Sequence, residues 1–240
     1  MFRRRVVAGI LLAGPVLGAT AALAGPAAAT SPSTSASTLY GQAVATTQAW
    51  SVHYDSASTQ SKQTLLVAGD AGPASGSQTV SMGTGTITIV VIGGITFVKG
   101  NAGGLRNLAG LSASQAGVTA GQWIEFSTNN VAFAQVVVGV RSHDVATQLL
   151  LKGPLSLGHP RTLNGYAVEA IDGTQTFARK AVHVVLYVRA RGTHVPVEED
   201  SVDAKGQPTA AEHVTYSKWG ELVRPLAPQA TVSIGPVSAV

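Results

Sequence analysis

The chain has 240 residues, 45% of them hydrophobic and 12% charged, with no cysteine and a formal charge of +4 at pH 7. Three of its sixteen basic residues are Arg3, Arg4 and Arg5, and no acid precedes Asp55, so the remainder carries 13 basic against 12 acidic groups. That balance excludes a broad basic face for nucleic acid, and the missing cysteine excludes a disulfide scaffold, leaving stability to an ordinary core.

Arg3-Arg4-Arg5, the apolar run from Val6 to Leu23 and Ala27-x-Ala29 form a basic, then apolar, then small-residue pattern. This predicts a secretory signal over residues 1–29 with a mature start near Thr30; the rival reading is an uncleaved membrane anchor. Residues 30–38, TSPSTSAST, read as a Ser/Thr/Pro linker. From Leu39 to Thr47 apolar residues recur at three- and four-residue spacing, which predicts a helix ending before Trp50. Strand signals follow. Ser51 to Ser58 alternates, Thr64 to Ala68 is apolar, and a turn falls at 69–73. Gln78 to Met82, Thr86 to Ile92 and Ile95 to Lys99 form a meander, with Gly93-Gly94 as a two-residue hairpin turn.

Asn101 to Leu111 and Ser112 to Val118 read as short helical or irregular segments, with Ser112 as an N-cap. Gln122 to Ser127 reads as a brief strand or turn, and Asn129 to Val140 and Val145 to Leu151 as helix, although Val136-Val137-Val138 also has strand propensity. Strands then return at Ser156 to Thr162 and Tyr166 to Ile171, joined by Asn164-Gly165, and at Val182 to Arg189, His194 to Val202 and Ala211 to Ser217. Strands around a helical middle predict an α+β fold with a curved antiparallel sheet. Pro196 suggests an edge or bulged strand, and Trp219-Gly220 a plug at a sheet corner.

Catalytic and metal motifs are missing. Neither Gly-x-Ser-x-Gly nor His-Glu-x-x-His occurs, and the six histidines are scattered, so catalytic and metal residues are expected to be none, as are cofactors. Glu198-Glu199-Asp200 with Asp203 lacks the spacing of a calcium loop and reads as a solvated strand edge.

The closing segment carries a resemblance. The Val195-Pro196-Val197-Glu198 return, Tyr216-Ser217-Lys218-Trp219-Gly220-Glu221 and Ala227-Pro228, with Phe97-Val98-Lys99-Gly100 and Gln122-Trp123-Ile124 earlier, resemble the LolA-like lipid-carrier proteins of actinobacteria, the group of the LppX and LprG lipoproteins. The resemblance implies a strongly curved antiparallel β-sheet, a half-barrel over residues 39–228, packed on a few helices, with residues 229–240 as a flexible tail. It also implies an apolar cavity for a lipid or acylated glycan, held by a monomer that meets the envelope membrane surface. Expected lining residues are Ile87, Ile89, Val91, Phe97, Val184, Leu186 and Val188 from the strands, with Trp123, Phe126 and Phe133 closing from the helical side. Each of them is equally an apolar strand position that exists to pack, so the alternative is a sensor or protein-interaction domain with a filled core. Lipoprotein relatives are anchored through a cysteine after the signal; this chain has none, which predicts release or envelope association by other means.

Overall fold

The computed structural model describes residues 34–60, 62–127, 138–177, 180–203, 205–206 and 208–234. Among them the chain forms α1 (Ala36–Ala49), β1 (Val52–Gln60), β2 (Gln63–Ala71), β3 (Ser75–Met82), β4 (Gly85–Ile92), β5 (Ile95–Gly100), α2 (Ala102–Asn107), α3 (Ala113–Thr119), β6 (Ile124–Ser127) and α4 (Ser142–Gln148). It continues with β7 (Lys152–Leu157), β8 (Arg161–Leu163), β9 (Tyr166–Phe177), β10 (Lys180–Arg189), β11 (Pro196–Val202) and β12 (Pro208–Ser217). None of these helices is long and apolar enough to cross a membrane.

All twelve strands belong to one open antiparallel sheet in the order β6-β5-β4-β3-β2-β1-β12-β11-β10-β9-β7, with β8 paired to β9. The first and last strands meet at its centre, where His53 faces Ser217 and Ser58 faces Glu212. Two meanders thus spread from one seam. The β4–β5 turn is the expected two-residue hairpin at Gly93-Gly94, closed by the Ile92–Ile95 pair. At Asn164-Gly165 both residues adopt positive φ, 50° and 80°, as the primed hairpin turn between β8 and β9 requires.

The helices cover one face. Ala36, Leu39, Ala43 and Thr47 form the buried stripe of α1, which lies against α4 and β7. Its cap is Ser35, whose hydroxyl accepts from Thr38 N at 3.2 Å, so the helix begins inside the segment expected as linker. Asn101 caps α2 by accepting from Gly104 N at 2.7 Å and donates to Thr84 O, tying the β3–β4 turn to the helix. Ser112 caps α3 in a box with Gln115, as its position predicts. The expected helix over 129–140 falls largely outside the described residues.

The core divides into two clusters on the helix-covered face. Leu39, Ala43, Val145 and Leu149 pack on Val184, Leu186 and Val188. Leu105, Ala109, Leu111 and Ala116 pack on Ile87, Ile89 and Val91. A smaller cluster of Val168, Ala170, Val185, Tyr187 and Val197 sits on the outer face. The C-terminal segment crosses back to the far edge of the sheet: Val232 accepts from Glu125 N at 3.1 Å and donates to Trp123 O at 2.8 Å. That stretch was expected as part of the tail.

Candidate functional site

Directly opposed residues share a face, so the register lays out the inner face as rungs running across strands. The first rung, Val52, Ala71, Gly76, Val91, Thr96 and Phe126, is closed by the segment before α4. The backbone there comes so close that a Cβ on Gly76 would meet Val140 O at 1.9 Å. The second rung runs Tyr216, Tyr54, Gly69, Gln78, Ile89, Val98 and Ile124. Tyr54 Oη lies 2.7 Å from Gln78 Oε1 and 2.9 Å from Gly139 O, two acceptors for its one proton. Burial first, then Asp144 and Asp70, pushes this phenol well up, so it stays a neutral donor.

Farther toward the hairpin ends the cover thins. The third rung is Glu199, Val214, Ser56, Val67, Val80 and Ile87; the fourth is Glu212, Ser58, Leu65, Met82 and Gly85. Val214 and Ile87 are buried at the ends of the third rung, while Ser56, Val67 and Val80 between them are only half-buried, as are Leu65 and Met82 below. Val67 packs against the first core cluster and Val80 against the second. This apolar strip is the candidate site. Sequence reasoning saw Thr64 to Ala68 as one continuous apolar run and missed that Leu65 and Val67 point inward while Leu66 and Ala68 point outward.

The residues expected to line a cavity are distributed differently. Ile87, Ile89, Val91 and Phe126 lie on the inner face, and Val184, Leu186 and Val188 lie on it at the other wing, all buried under the chain's own side chains. Phe97 does not join them. It is paired with Val90 and Glu125, which places it on the outer face, opposite to Ile87, Ile89 and Val91. Trp123 is half-buried beside β6, with Lys99 Nζ 5.8 Å from its ring centroid. Phe133 lies outside the described residues. Trp219 donates from Nε1 to Pro196 O at 2.9 Å and packs on the first cluster, a structural plug as expected.

The acidic run is not a solvated edge. β11 is an interior strand, and Glu199 and Asp200 are each 4% exposed. A register shift opposite Pro196 supplies the expected bulge. Alternation sends Glu198 and Asp200 outward, where Arg161 lies 3.1 Å from Glu198 and 3.8 Å from Asp200, and His213 Nδ1 lies 2.6 Å from Asp200 Oδ1. The Arg161 guanidinium also sits 3.6 Å over the Tyr187 ring. Burial, then Asp200, holds the Glu198 carboxyl above its ordinary range. Glu198, Asp200 and His213 bring three potential ligand atoms within 4.8 Å of one another, but the Arg161 cation already pairs with both carboxylates and ties β8 to them. Glu199, inward, is the residue that sequence reasoning assigned to the wrong environment: Gln175 Nε2 donates to its Oε1 at 2.8 Å, and burial, then Glu212, pushes its carboxyl up to about 8.

Two shallow depressions open on the outer face. One, of about 430 Å³, is floored by Ala57, Leu66 and Ala68 between Asp55 and His213. The other, of about 520 Å³, lies between Thr88, Lys99 and Asn101.

No family model matches the sequence, and no curated protein matches it either. Among solved structures, the chain is similar to LprF from Mycobacterium bovis with a TM-score of 0.52 at 11% identity, over 80% of this chain and 96% of that one. The chain has the LolA-like half-barrel fold. LppX from Mycobacterium tuberculosis aligns over 78% of this chain and 97% of its own at 17% identity, with a TM-score of 0.46. A LolA-superfamily protein of Nitrosomonas europaea covers 81% and 96% at 13% identity, with a TM-score of 0.29. In this LolA-like half-barrel the segment before α4 closes the end of the sheet at Val52 and Gly76, and the half-buried strip lies toward the hairpins at the other end.

Proposed function

We propose that the chain is an exported, non-enzymatic carrier that holds a lipid or lipid-linked glycan against the inner face of its half-barrel. The observation that carries this reading is the half-buried strip of Leu65, Val67, Val80 and Met82, flanked on both sides by filled clusters of the same face. Hydrocarbon laid along it gains about 0.8 kcal/mol for each methylene taken out of water, so binding asks for no reactive side chain. The LolA-like fold supports the same conclusion. Ile87, Ile89, Val91 and Phe126 form the wall on one side of that strip, and Val184, Leu186 and Val188 the wall on the other. Export uses residues 1–29, and the mature monomer begins near Thr30, meeting the membrane surface without a lipidated cysteine.

The test is direct. The mature protein is purified, extracted with organic solvent and analysed by mass spectrometry, and a fluorescent acyl probe is titrated into the delipidated form. Bound lipid and saturable uptake are expected; finding neither overturns the carrier. The tight packing around Ile89 and Leu186, both fully buried, favours a second reading, an extracytoplasmic interaction domain working through its surface. A folded protein that takes up no probe selects it.

A further inference from the structure

β11 places two adjacent acids in opposite circumstances. Asp200 faces outward into an ion-pair cluster with Arg161 and His213. Glu199 faces inward, opposed to Leu186 on one side and Val214 on the other. Its Oε1 accepts from Gln175, and its Oε2 is buried with no hydrogen-bond partner. Leaving a buried polar oxygen unpaired is costly, and such groups in native structures carry a reason for being there. Glu199 begins the same rung that continues through Val214 and Ser56 to the half-buried Val67 and Val80, so the unpaired oxygen lies on the inner face, three strands along the rung from the apolar strip.

The groups around it fix its chemistry. From β12 come Glu212 and Tyr216, from α1 Tyr40, from β9 Gln175, and from its own strand Asp200 on the other face. No cation is among the causes that move it, and burial keeps the proton on until about pH 8. The phenols of Tyr40 and Tyr216 are also raised, so both stay neutral through that range. With Oε1 held by an amide N–H, the acid proton belongs on Oε2. A neutral carboxyl there donates to an ester or hydroxyl oxygen, while the neighbouring Glu212 sets a negative charge against an anionic headgroup.

We propose that Glu199 is the polar anchor of the inner-face strip, donating a hydrogen bond from Oε2 to an uncharged oxygen of the bound amphiphile and so selecting neutral acyl esters, such as acylglycerols, over free fatty acids and phospholipids. This rests on the carrier reading. Because Oε2 is covered, the ligand reaches it by displacing a neighbour, and the half-buried Glu212 is the polar side chain placed to yield while Gln175 keeps its hold on Oε1.

The experiment displaces a fluorescent acyl probe from the mature protein with dioleoylglycerol, oleate or dioleoylphosphatidylglycerol. At about pH 7 dioleoylglycerol is expected to compete about tenfold better than the two anionic lipids, the scale of one hydrogen bond. Glu199→Leu removes the donor and weakens dioleoylglycerol about tenfold, the scale of one hydrogen bond; Glu199→Gln keeps an N–H donor and retains its affinity. Between about pH 7 and about pH 9 the affinity for dioleoylglycerol itself falls in the parent as the carboxyl ionises and its donor is lost, and stays level in Glu199→Gln. Uptake of the probe with equal affinity for all three competitors, or the same pH fall in Glu199→Gln, overturns the anchor and leaves the carrier standing. Failure of the parent to take up any probe overturns both.

Discussion

Glu199 sets a sign that can be checked without a ligand. Its carboxyl titrates near 4.5 when the chain is unfolded and at about 8 when folded, so between those values the folded state holds a proton the unfolded state has lost. Stability attributable to this residue therefore falls as pH rises from about 4.5 to about 8 and is level above. Glu199→Gln should match the parent at about pH 4 and exceed it by on the order of a few kcal/mol at about pH 8, read by urea unfolding across that range. An advantage that does not change with pH would refute the assignment. Two glycines give opposite expectations at the same scale. Gly76→Ala drives a methyl into the Val140 carbonyl and should cost about 1–3 kcal/mol, whereas Gly41→Ala, in the middle of α1 with nothing within 4 Å of the new atom, should gain about 0.5–1 kcal/mol. Thermal unfolding of the pair decides it, and a stabilised Gly76→Ala would mean that the 138–141 segment does not seal the sheet as described.

At the scale of elements, β6 is held by more than its neighbour β5. Its outer edge is occupied by Val232, whose side chain packs on the second cluster together with Ile234. Val232→Asp places a charge against apolar surface and should lower the unfolding free energy by about 1–2 kcal/mol in urea titration; no loss would reduce residues 229–234 to the tail that composition suggested. The inner strip makes the complementary prediction. Val80 is half-buried, so Val80→Asp should leave the fold largely intact yet reduce acyl-probe uptake about tenfold or more, since the charge lies where hydrocarbon is to bind. Unchanged uptake would move the site elsewhere. Local signals located most elements well: Ser112 and Gln115 announce α3, Asn164-Gly165 announces the β8–β9 turn, and Gly93-Gly94 announces β4–β5. The two-residue turn at Gly93-Gly94 also pairs Ile92 with Ile95 and hence Val90 with Phe97, so the outward position of Phe97 was legible in the sequence had the register been followed through the turn.

At the scale of the molecule, two hydrophobic clusters divide the inner face and leave a less covered apolar strip between them, and function is assigned to that division. The α+β class, the run of short strands and the helical middle follow from periodicity and turn chemistry, both properties of residues a few positions apart. So do the two-faced strands, because side chains alternate with period two whatever the strand pairs with. Which face is inner, and what a residue meets there, depends on contacts between residues far apart in the chain. The pairing of β1 with β12 puts Ser56 beside Val214 and makes one continuous rung from Glu199 to Ile87. It also turns an acidic run that looked solvated into an interior strand with two acids paired outside and one buried beside Gln175. Local pattern thus determined the elements and their alternation; only the closure of the sheet at its seam decided burial, because burial is a property of neighbours that the chain brings together from more than a hundred residues apart.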